Sequence, residues 1–146
     1  MFGQNNKSNF EVFGKMVYRS YWKGEIFLDA FNEIVELIVR ANKEGPLASQ
    51  FDAMRNFLAA QHRIKQLATQ QMFELHQQCG FKLDSHNDDK IWELLTPIQL
   101  EVSDDQYYEN DTDIAILILF SSKLEQDFLP AIETKQGLFH QVLSGT

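Results

Sequence analysis

Apolar positions recur at three- and four-residue spacing through much of the chain, and that period predicts helices. Phe10, Phe13, Val17 and Tyr21 share one face of a first helix over about 9–22, opened by the capping-box form Ser8-Asn9-Phe10-Glu11 and ended near Gly24. A second helix is expected over about 25–43. Glu25, Asp29, Glu33, Glu36, Arg40 and Lys43 form its polar stripe, and Phe27, Phe31, Ile34, Ile38 and Ala41 line the other side. Glu44-Gly45-Pro46 stops it. From Leu47 to Cys79 there is no Gly or Pro, and good helix formers dominate, so one long third helix is expected, with a kink near 59–62 where its apolar stripe shifts.

The second half mixes periods. Ser85-His86-Asn87-Asp88 resembles a capping box before a short helix carrying Ile91, Trp92, Leu94 and Leu95, closed by Thr96-Pro97. Ile98, Leu100 and Val102 alternate with Gln99 and Glu101, the period of a strand. Ile114, Leu117, Ile118, Leu124 and Phe128 hold one helical face, although Ile114–Phe120 also reads as a buried strand. A last helix is expected over about 131–143. The fold class these patterns predict is all-α: a compact bundle of five or six helices with one long central helix. The alternative is α+β with a small C-terminal hairpin from 98–102 and 114–120. The chain reads as a single helical domain over 1–146, with 1–7 as a flexible tail.

Composition narrows the function classes. A chain of 146 residues with 44% apolar and 12% aromatic residues is long enough for one domain with its own core. One Cys excludes a disulfide framework. The longest apolar run, Ile114–Phe120, falls far short of the roughly 20 residues of a membrane helix. The start MFGQNNKSNF lacks the apolar stretch of a secretory signal, so a cytoplasmic protein is expected.

Charge changes the picture most. The net charge is −8, and residues 1–80 hold nine Lys/Arg against eight Asp/Glu, whereas residues 81–146 hold four against thirteen. Asp84, Asp88, Asp89, Glu93, Glu101, Asp104, Asp105, Glu109, Asp111 and Asp113 face only Lys90 in their stretch. Such a surface repels phosphate backbones and anionic lipid and attracts a basic protein. The candidate partner-binding residues are therefore Asp84, Asp88, Asp89, Trp92, Asp104, Asp105, Tyr107, Tyr108, Glu109, Asp111 and Asp113, with the aromatics supplying rigid contact area. A solvated loop with helix caps is the competing account of the same residues. The expected function is that of a non-enzymatic acidic protein that docks and occludes a basic partner, of the inhibitor, immunity or antitoxin type, with no nucleic acid and no membrane bound directly.

Other constellations define the alternatives. Arg55 and His62 lie seven residues apart on one helical face, an Arg to hold phosphate and a His for acid–base work. With Asn56 after the Arg, the spacing resembles the Arg-x(4–6)-His signature of the HEPN family of small all-helical ribonucleases. The tyrosine that often follows the His in that family is absent, since Arg63 and Ile64 stand there. His76 and Cys79, three apart, could ligate a metal with Asp84 or His86 from the following loop, but a structural zinc site ordinarily shows two close ligand pairs. No catalytic residue, cofactor or metal site is assigned. The aromatic first helix, with Phe10, Phe13, Tyr18, Tyr21 and Trp22, is a candidate surface for a homodimer, and a plain scaffolding bundle is the third functional reading.

Overall fold

The structure, a computed structural model, describes residues 6–83 and 88–144. Among them the chain forms β1 (Lys7–Phe10), β2 (Gly14–Tyr18), β3 (Trp22–Leu28), β4 (Glu33–Val39), α1 (Ala48–Gln78), a 3-10 helix (Asp88–Leu94), β5 (Leu95–Val102), β6 (Ala115–Ser122), β7 (Ala131–Lys135) and β8 (Leu138–Leu143). The strands make one sheet in sequence order. Every neighbouring pair is antiparallel except β4 and β5, which run parallel. A parallel pair needs a crossover rather than a hairpin, and α1 supplies it.

One face of the sheet packs on the helix. Leu37 pairs with Leu100 and Val39 with Val102, and these pair in turn with Ile118 and Ile116 of β6. All six are completely buried. Trp22 and Met16 extend this face into β3 and β2, and Met54, Phe57, Ile64 and Met72 of α1 close over it. Two buried amides fasten the helix to the strand ends. Gln61 Oε1 accepts from the Ala30 N–H in the β3–β4 turn. Gln50 Nε2 donates to the carbonyls of Arg40 and Ser103, just past β4 and β5.

The fold is thus α+β, and the all-α helical bundle is overturned. The expected first helix is the β1–β2 hairpin with the start of β3, and the expected second helix is the β3–β4 hairpin. Glu25, Asp29, Glu33 and Glu36 satisfy a helical period, but Trp22, Gly24, Ile26 and Leu28 also alternate with Lys23, Glu25 and Phe27, as a half-buried strand requires. The turn between these strands, Asp29 to Asn32, contains neither Gly nor Pro; Asn32 adopts the left-handed conformation instead, at φ 54°. The expected C-terminal helices are β6 and the β7–β8 hairpin. The strands placed by the alternative at 98–102 and 114–120 are β5 and β6, inner strands of the large sheet. The long helix forms as expected, as 31 continuous residues without a break at 59–62. The short helix before Thr96 is a 3-10 helix. Lys7, expected in a flexible tail, stands in β1, and the tail residues 1–5 lie outside the described residues. No helix among the described residues is long and apolar enough to cross a membrane.

Candidate functional site: the acidic loop between β5 and β6

Residues 103–114 form the long connection from β5 to β6, and its base is closed by Ser103. The Ser103 N–H donates to the Ala115 carbonyl, the Ala115 N–H donates back to Ser103 Oγ, and that hydroxyl donates to the Asp104 carbonyl. Beneath it, Gln50 holds the Ser103 carbonyl. The loop therefore leaves and re-enters the sheet at a fixed point, and its carboxylates are carried on a rigid base.

Its far side folds back over the outer face of the sheet. Tyr108 Oη donates to Glu133 Oε2 at 2.5 Å, and Gln141 Nε2 donates to Glu133 Oε1 at 2.9 Å. Glu133 lies on β7 and is only 3% exposed. Lys135 Nζ reaches Asp111 at 2.8 Å and Asp113 at 3.9 Å, and sits 4.8 Å from the centre of the Tyr108 ring. Hydrogen bonding to Lys135 holds the Asp111 carboxyl below its usual range, and the same contact raises the Lys135 ammonium. Burial, the bond to Glu133 and the surrounding carboxylates push the Tyr108 phenol well above its ordinary value. Burial also raises Tyr107, which stacks edge-on against Tyr108 at 4.9 Å. At neutral pH both phenols therefore stay protonated and can donate a hydrogen bond.

The near side of the loop faces a hollow of 470 Å3 between the β2–β3 turn and the start of α1, lined in part by Tyr18, Tyr21, Arg40, Asp104 and Asp105. Arg40 is occupied within the molecule. Its Nε pairs with Glu101 at 3.2 Å, and its guanidinium lies 4.9 Å from the Tyr21 ring centre. Asp104 and Asp105 have no cation within ion-pair distance among the described residues; they accept from the Gln106 N–H and side-chain amide respectively, so the hollow presents two unneutralised carboxylates beside aromatic rings. That combination suits an ammonium or guanidinium group.

Residues 12–123, from the β1–β2 turn to just past β6, match a family described as a domain of unknown function, DUF6985. The chain belongs to the DUF6985 family. No curated protein and no solved structure matches it. The matched stretch of this DUF6985 protein contains the acidic loop and the hollow, whereas Glu133 and Lys135, which hold the loop's far side, lie beyond it.

The DUF6985 fold divides the residues singled out by sequence. Asp104, Asp105, Tyr107, Tyr108, Glu109, Asp111 and Asp113 come together in the loop. Asp88, Asp89 and Trp92 sit at the other end of β5, whose eight residues span about 23 Å. There Asp88 and Asp89 line a separate hollow with Arg63, Lys65 and Thr69, and Trp92 donates to Thr69 Oγ1 and stacks on Phe31 and Phe120. Asp84 lies outside the described residues. Arg55 and His62 do share one helix, but each is bound to a carboxylate: Arg55 to Asp52 and Glu11, His62 to Asp29. The sheet also differs from the all-helical fold that the HEPN resemblance implied. His76 points into the core with Nδ1 on the Met72 carbonyl, while Cys79 is exposed. The two do not converge, and no cluster of three metal-ligating side chains exists among the described residues. Phe13 and Trp22, expected on an aromatic helix surface for dimerisation, are core residues.

Sequence reasoning missed Glu133, Gln50, Ser103 and Arg40. Glu133 carried one signal, a lone acid inside the run Ala131-Ile132-Glu133-Thr134, which is buried throughout. A carboxylate in such a run needs a donor, and Tyr108 is that donor.

Proposed function

We propose that this DUF6985 protein is a non-catalytic docking protein that engages a Lys or Arg side chain of a basic partner through its β5–β6 loop. The observation that carries the reading is the pair of unneutralised carboxylates, Asp104 and Asp105, beside Tyr18 and Tyr21 in the hollow. Tyr107, 43% exposed on the same loop, adds a rigid apolar contact. Binding there covers the partner's cationic residue, so an enzyme or nucleic-acid-binding protein that depends on that residue is inhibited by occlusion, in the manner of an immunity protein or antitoxin. The single exposed thiol, Cys79, suits a reducing cytoplasm, where we place the protein.

The test is retention of a basic protein from host lysate. Immobilised wild type should retain it at low salt, and the Asp104→Asn/Asp105→Asn/Glu109→Gln variant should associate more slowly and with a flatter salt dependence. Equal association and salt dependence for both would remove the loop from the interface. Recovery of RNA alone would remove the reading altogether.

A further inference from the structure

The acidic loop borders a patch of opposite sign. On the outer face of β1–β3, Lys7 and Lys23 are paired directly across from Val17 on its two sides. Lys15 stands two residues before Val17 on β2 and so shares its face, and Arg19, in the β2–β3 turn, lines one hollow with Val17 and Lys23. Four cations therefore lie around one small apolar residue, with one carboxylate, Glu25, lining the same hollow as Lys7, Lys15 and Lys23. Two open hollows of 810 and 360 Å3 cover this face and share Val17 and Lys23. Among the described residues only Lys23 of the four has an ion-pair partner, Glu36 at 3.1 Å. The patch meets the acidic loop at the β2–β3 turn, where Tyr21 lines both the cationic hollow with Arg19 and the acidic hollow with Asp104 and Asp105.

We propose that these adjoining patches pair between two copies of this chain related by a two-fold axis, each copy's lysine patch seated on the other's acidic loop. A two-fold contact uses the same surface twice, so a positive region beside a negative one is complementary to its own rotated image. A second copy fits better than an extended polyanion. The acidic loop next to the patch repels a phosphate chain that runs beyond the four cations, whereas on a second copy that loop is met by a cationic patch. The inference concerns the isolated protein and stands apart from the basic partner proposed above, with which a second copy would compete for Asp105.

Sedimentation velocity of the purified protein tests it. The wild type should be a dimer at low ionic strength and a monomer at high salt, as the Debye length shrinks from about 30 Å at 0.01 M to about 3 Å at 1 M. The all-acidic variant Lys15→Glu/Arg19→Glu and the all-basic variant Asp105→Lys/Glu109→Lys should each be monomeric, with association weakened at least about tenfold. Mixed in equal amounts they should form a one-to-one heterodimer, because both halves of the contact again meet opposite charge. Lys7→Glu/Lys15→Glu provides a second all-acidic variant should the first melt early by circular dichroism. A wild-type monomer at low salt, undiminished self-association of either variant, or no heterodimer in the mixture overturns the proposal. Binding of an oligothymidylate by the wild type, lost in Lys15→Glu/Arg19→Glu and without any dimer, would assign the patch to a polyanion instead.

Discussion

The hydrogen bond from Tyr108 to Glu133 gives the sharpest measure of how the acidic loop is held. Tyr108→Phe removes one hydroxyl and little else. The ring can still stack on Tyr107 and lie under Lys135, as it does in the wild type. What is lost is one of the two donors to a carboxylate that water barely reaches, leaving Gln141 alone on the other oxygen. Hydrogen bonds to charged groups contribute about 1.5–3 kcal/mol, and a buried acceptor left without its donor costs a comparable amount. For a chain of this length each kcal/mol lowers Tm by about 2–4 °C, so the variant should melt about 3–12 °C below wild type. Urea titration followed by Trp22 and Trp92 fluorescence reads the difference directly. Its pH dependence is a second check. The folded state holds the Tyr108 proton more tightly than the unfolded chain does, because burial and the bond to Glu133 raise its pKa. That contribution is complete below the ordinary tyrosine value of about 10 and is lost as pH rises above it. The gap between wild type and Tyr108→Phe should therefore be widest at pH 7 and narrow above pH 10. A gap below about 0.5 kcal/mol at pH 7, or one that stays constant into the alkaline range, would refute the latch.

Two further predictions concern the scaffold. Burial lowers the His76 pKa despite its bond to the Met72 carbonyl, and its Nε2 has no hydrogen-bond partner among the described residues. A neutral folded imidazole stabilises fully above the unfolded value of about 6.5, and that stability is lost as pH falls below it. His76→Phe, facing Phe81 and Phe128, should be near wild-type stability at pH 7 and more stable than wild type at pH 5 by chemical denaturation; parallel pH curves for the two would refute this. Gly137 occupies the β7–β8 turn at φ 87°, and a Cβ there would lie 2.6 Å from the Ala53 carbonyl oxygen and 2.8 Å from the Phe57 nitrogen of α1. Gly137→Ala should destabilise by about 3 kcal/mol or more, through strain and a displaced helix, and a Tm within 2 °C of wild type would show that α1 does not rest on this turn.

The sequence made some of this legible and hid the rest for physical reasons. The span 47–79 reads as helix because it has no turn residue and its apolar stripe runs through many turns, so no strand account competes. The hairpins were hidden because their punctuation is unusual. In the β2–β3 and β3–β4 turns Ser20 and Asn32 take the left-handed conformation that glycine more often signals, whereas the β1–β2 and β7–β8 turns pair Val12 with Gly14 and Gln136 with Gly137. With the turns invisible, Glu25 to Glu36 fits a helical stripe across what are two strands and a reversal. The acidic tract was legible as charge, because composition needs no fold. Its division was not, since only the course of β5 separates Asp88 and Asp89 from Asp104 to Asp113. Nor could the sequence show that Lys135 takes Asp111 and Asp113 while Asp104 and Asp105 stay free, because that depends on which strand end faces which.

The topology explains why the charged groups gather where they do. In a sheet ordered along the chain, antiparallel turns alternate between its two ends. The parallel step from β4 to β5 breaks that alternation, because α1 returns the chain so that β4 and β5 finish side by side. The β2–β3 turn, the end of β4, the start of α1, the β5–β6 loop and the β7–β8 turn all fall at this one end. The β3–β4 turn and the 3-10 helix fall at the other. Gln136, from the β7–β8 turn, confirms the convergence by donating to the Ser49 carbonyl in α1 and accepting from the Ile114 N–H at the loop's exit. A loop of twelve residues set among short, mutually bonded turns is fixed at its base and free at its surface, the arrangement in which connections carry function. A 31-residue helix spans about 46 Å, about twice the length of the strands; β8 accompanies it as far as Gln71, which accepts from the Val142 N–H, and its last turns bury His76 among Phe81 and Phe128. The crossover that positions the acidic loop therefore also creates the buried His76 niche at the far end. Loosening His76 by acid should leave Gln50, Ser103 and the loop they hold intact until the whole sheet unfolds.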